Sequence, residues 1–235
     1  MVRLNSQGKL FAKYKSLNLK DKIYQVKALD LAQELVGGRK NRIKLLDIGC
    51  ADGSYAAYVG EKLKAETYGV DISAHAIKKA KTRLDQAVRG DVSKRLPFTD
   101  ASFELIFALE VIEHIYDTDY LLSEIRRVLK PCGVVIISTP NLASLQNRIR
   151  LAFNHYPQYL EYSTAGAGHI HLYTSKVLAR QMKAHGLKLV KLTSANFLAP
   201  MITSLYAPQI YVRLMMKLGD CLPTLGSHLI AVGTK

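Results

Sequence analysis

The chain has 235 residues, 49% of them hydrophobic and 22% charged, which is enough apolar material for a sizeable core and too much for global disorder. No apolar run reaches the roughly 18 residues of a spanning helix, and Met1-Val2-Arg3-Leu4-Asn5 lacks the apolar stretch of a secretory signal. Three scattered cysteines, Cys50, Cys132 and Cys221, exclude a disulfide framework and a thiolate zinc site and point to a reducing, cytoplasmic compartment. The formal net charge of +14 sits in the flanks: 11 Lys/Arg against 3 Asp/Glu in residues 1–44, 10 against 2 in residues 141–235, and 12 against 14 between them. That is either a generally basic surface or a positive rim for an anionic substrate or a membrane face.

Asp21–Val36 reads as a helix packing beside a sheet, within an N-terminal helical cap of residues 1–41. From Arg42 to Thr139 apolar runs then alternate with helix-like segments. Strands are expected at Arg42–Ile48, Glu66–Val70, Ala87–Val88, Phe103–Leu109 and Gly133–Thr139, the last a β-branched run suited to burial on both faces. Helices are expected at Ser54–Leu63, Ala74–Leu84 and Asp119–Leu129, the last with Leu121, Leu122, Ile125, Val128 and Leu129 on one face and Pro131 beyond its end. Such alternation implies parallel pairing with right-handed crossovers.

After Pro140 the rhythm breaks. Asn141–Tyr173 is helix-like and then rich in Tyr, Gly, His and Pro; Ser175–His185 reads as a helix closed by Gly186, Leu187–Thr193 as a strand, and Ser227–Thr234 as a closing strand. Ala195–Thr224 is irregular, with Pro200, Pro208 and Pro223. Within it Leu205–Leu218, with Tyr206, Ile210, Arg213, Leu214 and Lys217, is either an interfacial amphipathic helix or a helix packed on the domain. The expected architecture is one α/β domain over residues 1–235. Its doubly wound, mostly parallel sheet has seven strands, and inserts at 141–173 and 195–226 cover the acceptor side.

The strongest motif is Leu45-Leu46-Asp47-Ile48-Gly49-Cys50-Ala51-Asp52-Gly53, a buried strand running through a glycine-bearing turn into a helix. Gly49 permits a sharp turn, and Gly53 a close approach of the helix start to a ligand. About 20 residues on, Asp71 ends the second strand, where a carboxylate can accept from both ribose hydroxyls of a nucleoside; the plainer alternative is that it only caps the next helix. Asp91, in Gly90-Asp91-Val92, is placed to accept from an adenine amino group.

From Ile43 to Thr139 these residues resemble class I methyltransferases that use S-adenosylmethionine (SAM). The family's motifs appear as DIGCADG, GVDIS, GDV followed by LPF, FELIFALEVIEHI, and Leu129-Lys130-Pro131-Cys132-Gly133. Ala51 and Cys132 stand where glycine is usual in that family. The resemblance implies a Rossmann-like methyltransferase fold and a SAM site formed by Asp47, Gly49, Cys50, Gly53, Asp71, Ile72, Asp91, Val92 and Leu109. SAM carries an activated methyl group, so the protein's work is in-line alignment of acceptor, methyl carbon and sulfur. A hydroxyl acceptor also needs a group to take its proton.

Glu110-Val111-Ile112-Glu113-His114 follows the fourth strand, and Gly168-His169-Ile170-His171-Leu172-Tyr173 comes later. This pattern resembles two metal-dependent branches, ubiquinone-type O-methyltransferases and small-RNA 2′-O-methyltransferases. It implies that Glu110, Glu113, His114 and His169 hold a divalent ion such as Mg²⁺. The alternatives are a metal-free acceptor pocket with His114 or His169 as general base and His171 in reserve, or purely structural histidines. The tyrosines Tyr156, Tyr159, Tyr162 and Tyr173 are packing residues or a stacking platform. Methyl transfer to an oxygen of a small molecule, glycan or lipid-linked acceptor is expected, with peripheral contact at the inner face of a membrane as an option. RNA 2′-O-methylation and SAM binding without catalysis are the other readings.

Overall fold

The computed structural model describes residues 23–39, 41–158, 168–195 and 209–235. In chain order its elements are α1 (Ile23–Val36), β1 (Lys44–Ile48), α2 (Ser54–Leu63), β2 (Glu66–Asp71), α3 (Ala74–Ala80), β3 (Gln86–Arg89), β4 (Phe103–Leu109) and a 3₁₀ turn (Ile112–His114). They continue with α4 (Thr118–Val128), β5 (Leu129–Pro140), α5 (Leu145–Ala152), α6 (Ser175–Ala184), β6 (Lys188–Ala195), α7 (Gln209–Cys221) and β7 (His228–Thr234).

The strands form one seven-stranded sheet in the order β3-β2-β1-β4-β5-β7-β6. β1 to β5 pair in parallel, and β7 runs antiparallel between β5 and β6. The doubly wound sheet read from the sequence is therefore present. Alternate residues of each central strand feed opposite cores: Leu45, Phe107 and Ile136 pack under α1 and α2, whereas Leu46, Ile106 and Val135 pack under α4 and α6. Each of these six side chains is fully buried, which explains the uninterrupted apolar runs. The strand order reverses between β1 and β4, so a crevice opens outside their carboxyl ends.

Local chemistry sets the element ends. Ser73 caps α3 by accepting from Ala76 N, Asp117 caps α4 by accepting from Tyr120 N, and Thr174 caps α6 by accepting from Val177 N. Helix α3 stops at Ala80 rather than Leu84, because Thr82 N and Arg83 N bond back only three residues, to Lys79 O and Ala80 O. Strand β5 begins earlier than Gly133: Leu129 pairs with Phe103, and the register shifts before Val134 pairs with Leu105. Cys132 lies in that irregularity at φ 59°.

Of the region 205–218, residues 205–208 lie outside the described residues. Helix α7 packs on the domain rather than standing apart. Buried Lys27 of α1 donates to Met216 O at 3.2 Å and to Asp220 Oδ2 at 2.5 Å, and Asp220 Oδ1 accepts from Thr193 Oγ1 at 2.9 Å. No helix among the described residues is long and apolar enough to cross a membrane.

Candidate active site

The β1–α2 turn is built almost wholly from backbone. Gly49, Ala51 and Gly53 all have positive φ, at 73°, 47° and 75°. A Cβ on Gly53 would lie 3.1 Å from Ala80 Cα, so the start of α2 lies tight against α3. Ala51, standing where glycine is usual, takes left-handed backbone, which strains any residue with a Cβ. Asp71 holds that turn in place. Its Oδ2 accepts from Ala51 N at 2.9 Å and its Oδ1 from Ser73 N at 2.8 Å. Ser73, not Asp71, supplies the side-chain cap of α3, so capping does not account for Asp71.

Beside this turn lies a cavity of 510 Å³ whose lining includes Gly49, Asp71, Ile72, Asp91, Glu110 and His114. Ile72 is 64% exposed, an apolar side chain held at a nucleoside-sized opening. Asp91 accepts from Ser93 N at 3.0 Å and Ser93 Oγ at 2.5 Å, and these bonds keep its carboxyl below the usual range. Val92 lines the cavity, while Leu109 is half-buried and packs against the core under α1 and α2. Cys50 is buried, and burial, with the nearby Asp47 and Asp71 charges, pushes its thiol well up, so it contributes backbone rather than reactivity. Asp47 is buried at the end of β1, and burial together with the neighbouring Asp71 pushes its carboxyl up to about 8.

The candidate acceptor side begins at Glu110, which has φ 56°. Its N–H donates to both Ser138 O and Ser138 Oγ at 3.1 Å, and Ser138 Oγ donates to Glu110 Oε1 at 2.6 Å. The 3₁₀ turn then brings Glu113 inward and leaves His114 exposed. Glu113 is 1% exposed, and neither of its oxygens has a hydrogen-bond partner among the described residues. Burial, followed by the Glu110 charge, pushes its carboxyl up to about 8.

The two distant blocks meet. Ile170 N and His171 N both donate to Glu113 O, at 2.9 and 3.1 Å. The rings of His114 and His169 lie 4.8 Å apart, and His114 Nδ1 is 3.2 Å from Gly168 O. A Glu113 oxygen and one nitrogen each of His114 and His169 all lie within 4.8 Å of one another. Glu110 stands outside this set of three; besides its Ser138 bonds, its Oε2 is 3.5 Å from His228 Nε2. His171 instead places Nε2 3.0 Å from Tyr116 O. Tyr173 is buried and donates to Gln181 Oε1, Tyr156 is exposed, and Tyr159 and Tyr162 lie outside the described residues.

Three residues that sequence reasoning passed over complete the site. His228, the first residue of β7, is buried, places Nδ1 2.9 Å from Ser227 Oγ and stacks on Tyr24 at 5.3 Å. Burial, with His169 adding, pushes its imidazole down to about 4, so it is neutral at ordinary pH. The Tyr24 phenol is raised by burial and by the Glu110 and Glu113 charges. Ser138 is the third. The antiparallel β7 brings His228 here and the packing of α1 brings Tyr24, and neither leaves a local motif; Ser138 arrives on β5.

A doubly wound sheet with a glycine turn, an acidic β2 tip and this cavity at its reversal point defines a class I SAM-dependent methyltransferase. A model of the methyltransferase domain family matches residues 21–192, and the chain belongs to that family. It is 34% identical over 102 residues to the methyltransferase GfsG of Streptomyces halstedii, covering 40% of this chain and 37% of that one. It is 31% identical over 104 residues to a ubiquinone biosynthesis O-methyltransferase of Bartonella bacilliformis, covering 42% of each. The chain thus spans less than half the length of these curated relatives. A SAM-dependent methyltransferase of Thermotoga maritima shares the fold at a TM-score of 0.64 and 20% identity, over 97% of this chain and 99% of that one.

Proposed function

We propose that this methyltransferase transfers the methyl group of SAM to a hydroxyl oxygen of a small molecule, a glycan or a lipid-linked intermediate. The observation that carries the reading is the convergence of Glu113, His114 and His169 beside the donor cavity. An amine acceptor that is already neutral needs no such set, whereas a hydroxyl must lose its proton as it attacks.

In this reading Asp71 holds the ribose hydroxyls, Asp91 the adenine amino group, and Gly49 lets the backbone approach the sulfonium end. The contact of His114 Nδ1 with Gly168 O favours a proton on Nδ1 and leaves Nε2 as acceptor. The acceptor oxygen bonds to the methyl carbon, the carbon–sulfur bond breaks with its electron pair going to sulfur, and the hydroxyl proton passes to His114 or His169. S-adenosylhomocysteine leaves. Glu113, whose two buried oxygens have no hydrogen-bond partner among the described residues, His114 and His169 would hold a divalent ion, with Glu110 adjacent; one carboxylate and two imidazoles suit a borderline ion better than Mg²⁺. When bound it would lower the pKa of the acceptor hydroxyl.

RNA as acceptor is not favoured. Arg39, Arg42, Lys62 and Lys64, with Glu61 and Asp85 among them, line a groove at the amino ends of β1 and β2, the edge opposite the cavity, so a strand tracked there would not pass the methyl group. The test is a screen of hydroxylated metabolites with methyl-labelled SAM, followed by His114→Ala and His169→Ala. Each should lower kcat by about 100-fold or more with SAM affinity unchanged. Retained turnover in both variants refutes the assignment, and full activity after chelation refutes the ion.

A further inference from the structure

Helix α5 is inverted. The hydrophobic effect normally turns apolar residues of a surface helix inward. In α5 the buried residue is Asn147. Its Nδ2 donates to Asn141 O at 3.2 Å and to Gln158 O at 3.3 Å, and its Oδ1 accepts from Gln158 N at 2.7 Å. A polar clasp therefore fixes the helix and the bend after it. The apolar side chains point out: Ile149, Leu151 and Phe153 are 52, 54 and 72% exposed, and Tyr156 is exposed beside them.

The charge around them has one sign. Arg148 and Arg150 flank Ile149, and residues 141–158 contain no Asp or Glu. The two arginines use Nε to hold Ala143 O and Tyr156 O, at 2.8 and 2.7 Å. These bonds orient the guanidinium groups without neutralising them, and neither pairs with a carboxylate among the described residues.

We propose that residues 145–156 form a docking surface for an anionic lipid bilayer. Exposed apolar residues in one short segment are costly in water and mark an interaction site. Ile149 and Phe153, four residues apart on the outward face, would insert shallowly beneath the headgroups, with Tyr156 at the interface and both arginines at lipid phosphates. The segment also stands at the edge where the acceptor enters. It leaves the carboxyl end of β5, and Leu142 N donates to Tyr173 O at 2.9 Å, tying its root to the loop whose Ile170 lines the cavity. Docking would bring lipid-borne acceptors to the cavity mouth. That consequence rests on the acceptor reading above; docking itself does not.

Flotation of the full chain with phosphatidylcholine vesicles, with and without phosphatidylglycerol, tests this. Retention is expected on the anionic vesicles and not on phosphatidylcholine alone. The pair Ile149→Asp and Phe153→Asp should abolish retention. The pair Arg148→Gln and Arg150→Gln should weaken it by about 30-fold, at about fivefold for each basic residue lost. Unchanged SAM affinity by calorimetry shows that each variant is folded. The proposal is overturned if the wild type does not float, or if the Asp pair floats as well as the wild type. It is also overturned if ultracentrifugation finds a dimer that the Asp pair dissociates while vesicles retain neither protein.

Discussion

Replacing Asp71 with Ala separates its two tasks. One is the proposed donor contact, in which each ribose hydroxyl bound to the charged carboxylate should contribute about 1.5–3 kcal/mol. Losing both should weaken SAM binding by about 3–6 kcal/mol, roughly a hundredfold to ten-thousandfold in Kd. The other is the turn: the carboxylate also accepts from Ala51 N and Ser73 N, and Ala51 is held at φ 47°. Losing those bonds should lower stability by about 1–3 kcal/mol, so a weaker Kd could reflect a loosened turn rather than a lost ribose contact. A deoxyribose analogue of SAM distinguishes the two. The wild type should bind it far more weakly than SAM, whereas Asp71→Ala should bind both alike, because the partner of the missing hydroxyls is gone. Calorimetry gives the four affinities, and thermal melting gives the cost in stability. A folded variant that still prefers SAM by the wild-type ratio would refute the ribose assignment.

Asp47 predicts a pH dependence. Its folded pKa is raised from 3.8 to about 8 by burial and by Asp71, so its contribution to stability is fully present below the unfolded value and lost as pH rises through the folded one. Asp47→Asn should therefore match the wild type near pH 4, exceed it progressively toward pH 8 and hold a constant advantage above that in thermal melts; an offset that does not change between pH 4 and 8 would show that Asp47 does not titrate in this window. Cys132→Gly should raise stability by about 0.5–1 kcal/mol, since relief of left-handed strain outweighs the added chain entropy. That corresponds to an increase of about 1–4 °C in Tm, and a lower Tm would mean that the Cys132 side chain makes a contact stronger than the strain.

The proposed donor half was legible because each of its parts is local. A β-branched run, a glycine turn and an acidic strand end encode their geometry within a few residues, and parallel alternation then assembles them at one edge. Gly49, Gly53, Asp71, Ile72, Asp91 and Val92 all fall around the cavity or its turn. The acceptor half was legible only in pieces. Glu113, His114 and His169 could be named from a pattern, but their meeting depends on the carbonyl of Glu113 accepting from Ile170 N and His171 N. Glu110 was grouped with them by the motif pattern, yet the segment folds as a 3₁₀ turn entered through a residue at positive φ, which leaves Glu110 beside Ser138 and His228. Tyr24 and His228 had no signal, because a single aromatic residue at an element end looks like any core residue. The exposed face of α5 was hidden for a related reason: Ile149, Leu151 and Phe153 read as core until Asn147 is seen to hold the buried side.

The strained residues at the reversal point share one construction. Ala51 follows β1 and Glu110 follows β4, both in left-handed backbone without being glycine. Each is fixed by a residue at the carboxyl end of an adjacent strand: Asp71 of β2 accepts from Ala51 N, and Ser138 of β5 bonds both the N–H and the carboxylate of Glu110. Positive φ costs about 1–2 kcal/mol for a residue with a Cβ, an amount comparable to one charge-assisted bond at Ala51 and to the Ser138 bonds at Glu110. The donor turn and the acceptor turn are thus each clamped by strands lying outside the β1–β4 pair that carries them. Methyl transfer needs sulfur, carbon and acceptor in line, and small misalignments cost rate steeply. A crevice whose two walls are each pinned from outside is suited to that demand, because neither turn can relax toward ordinary backbone without breaking a bond to its neighbour strand.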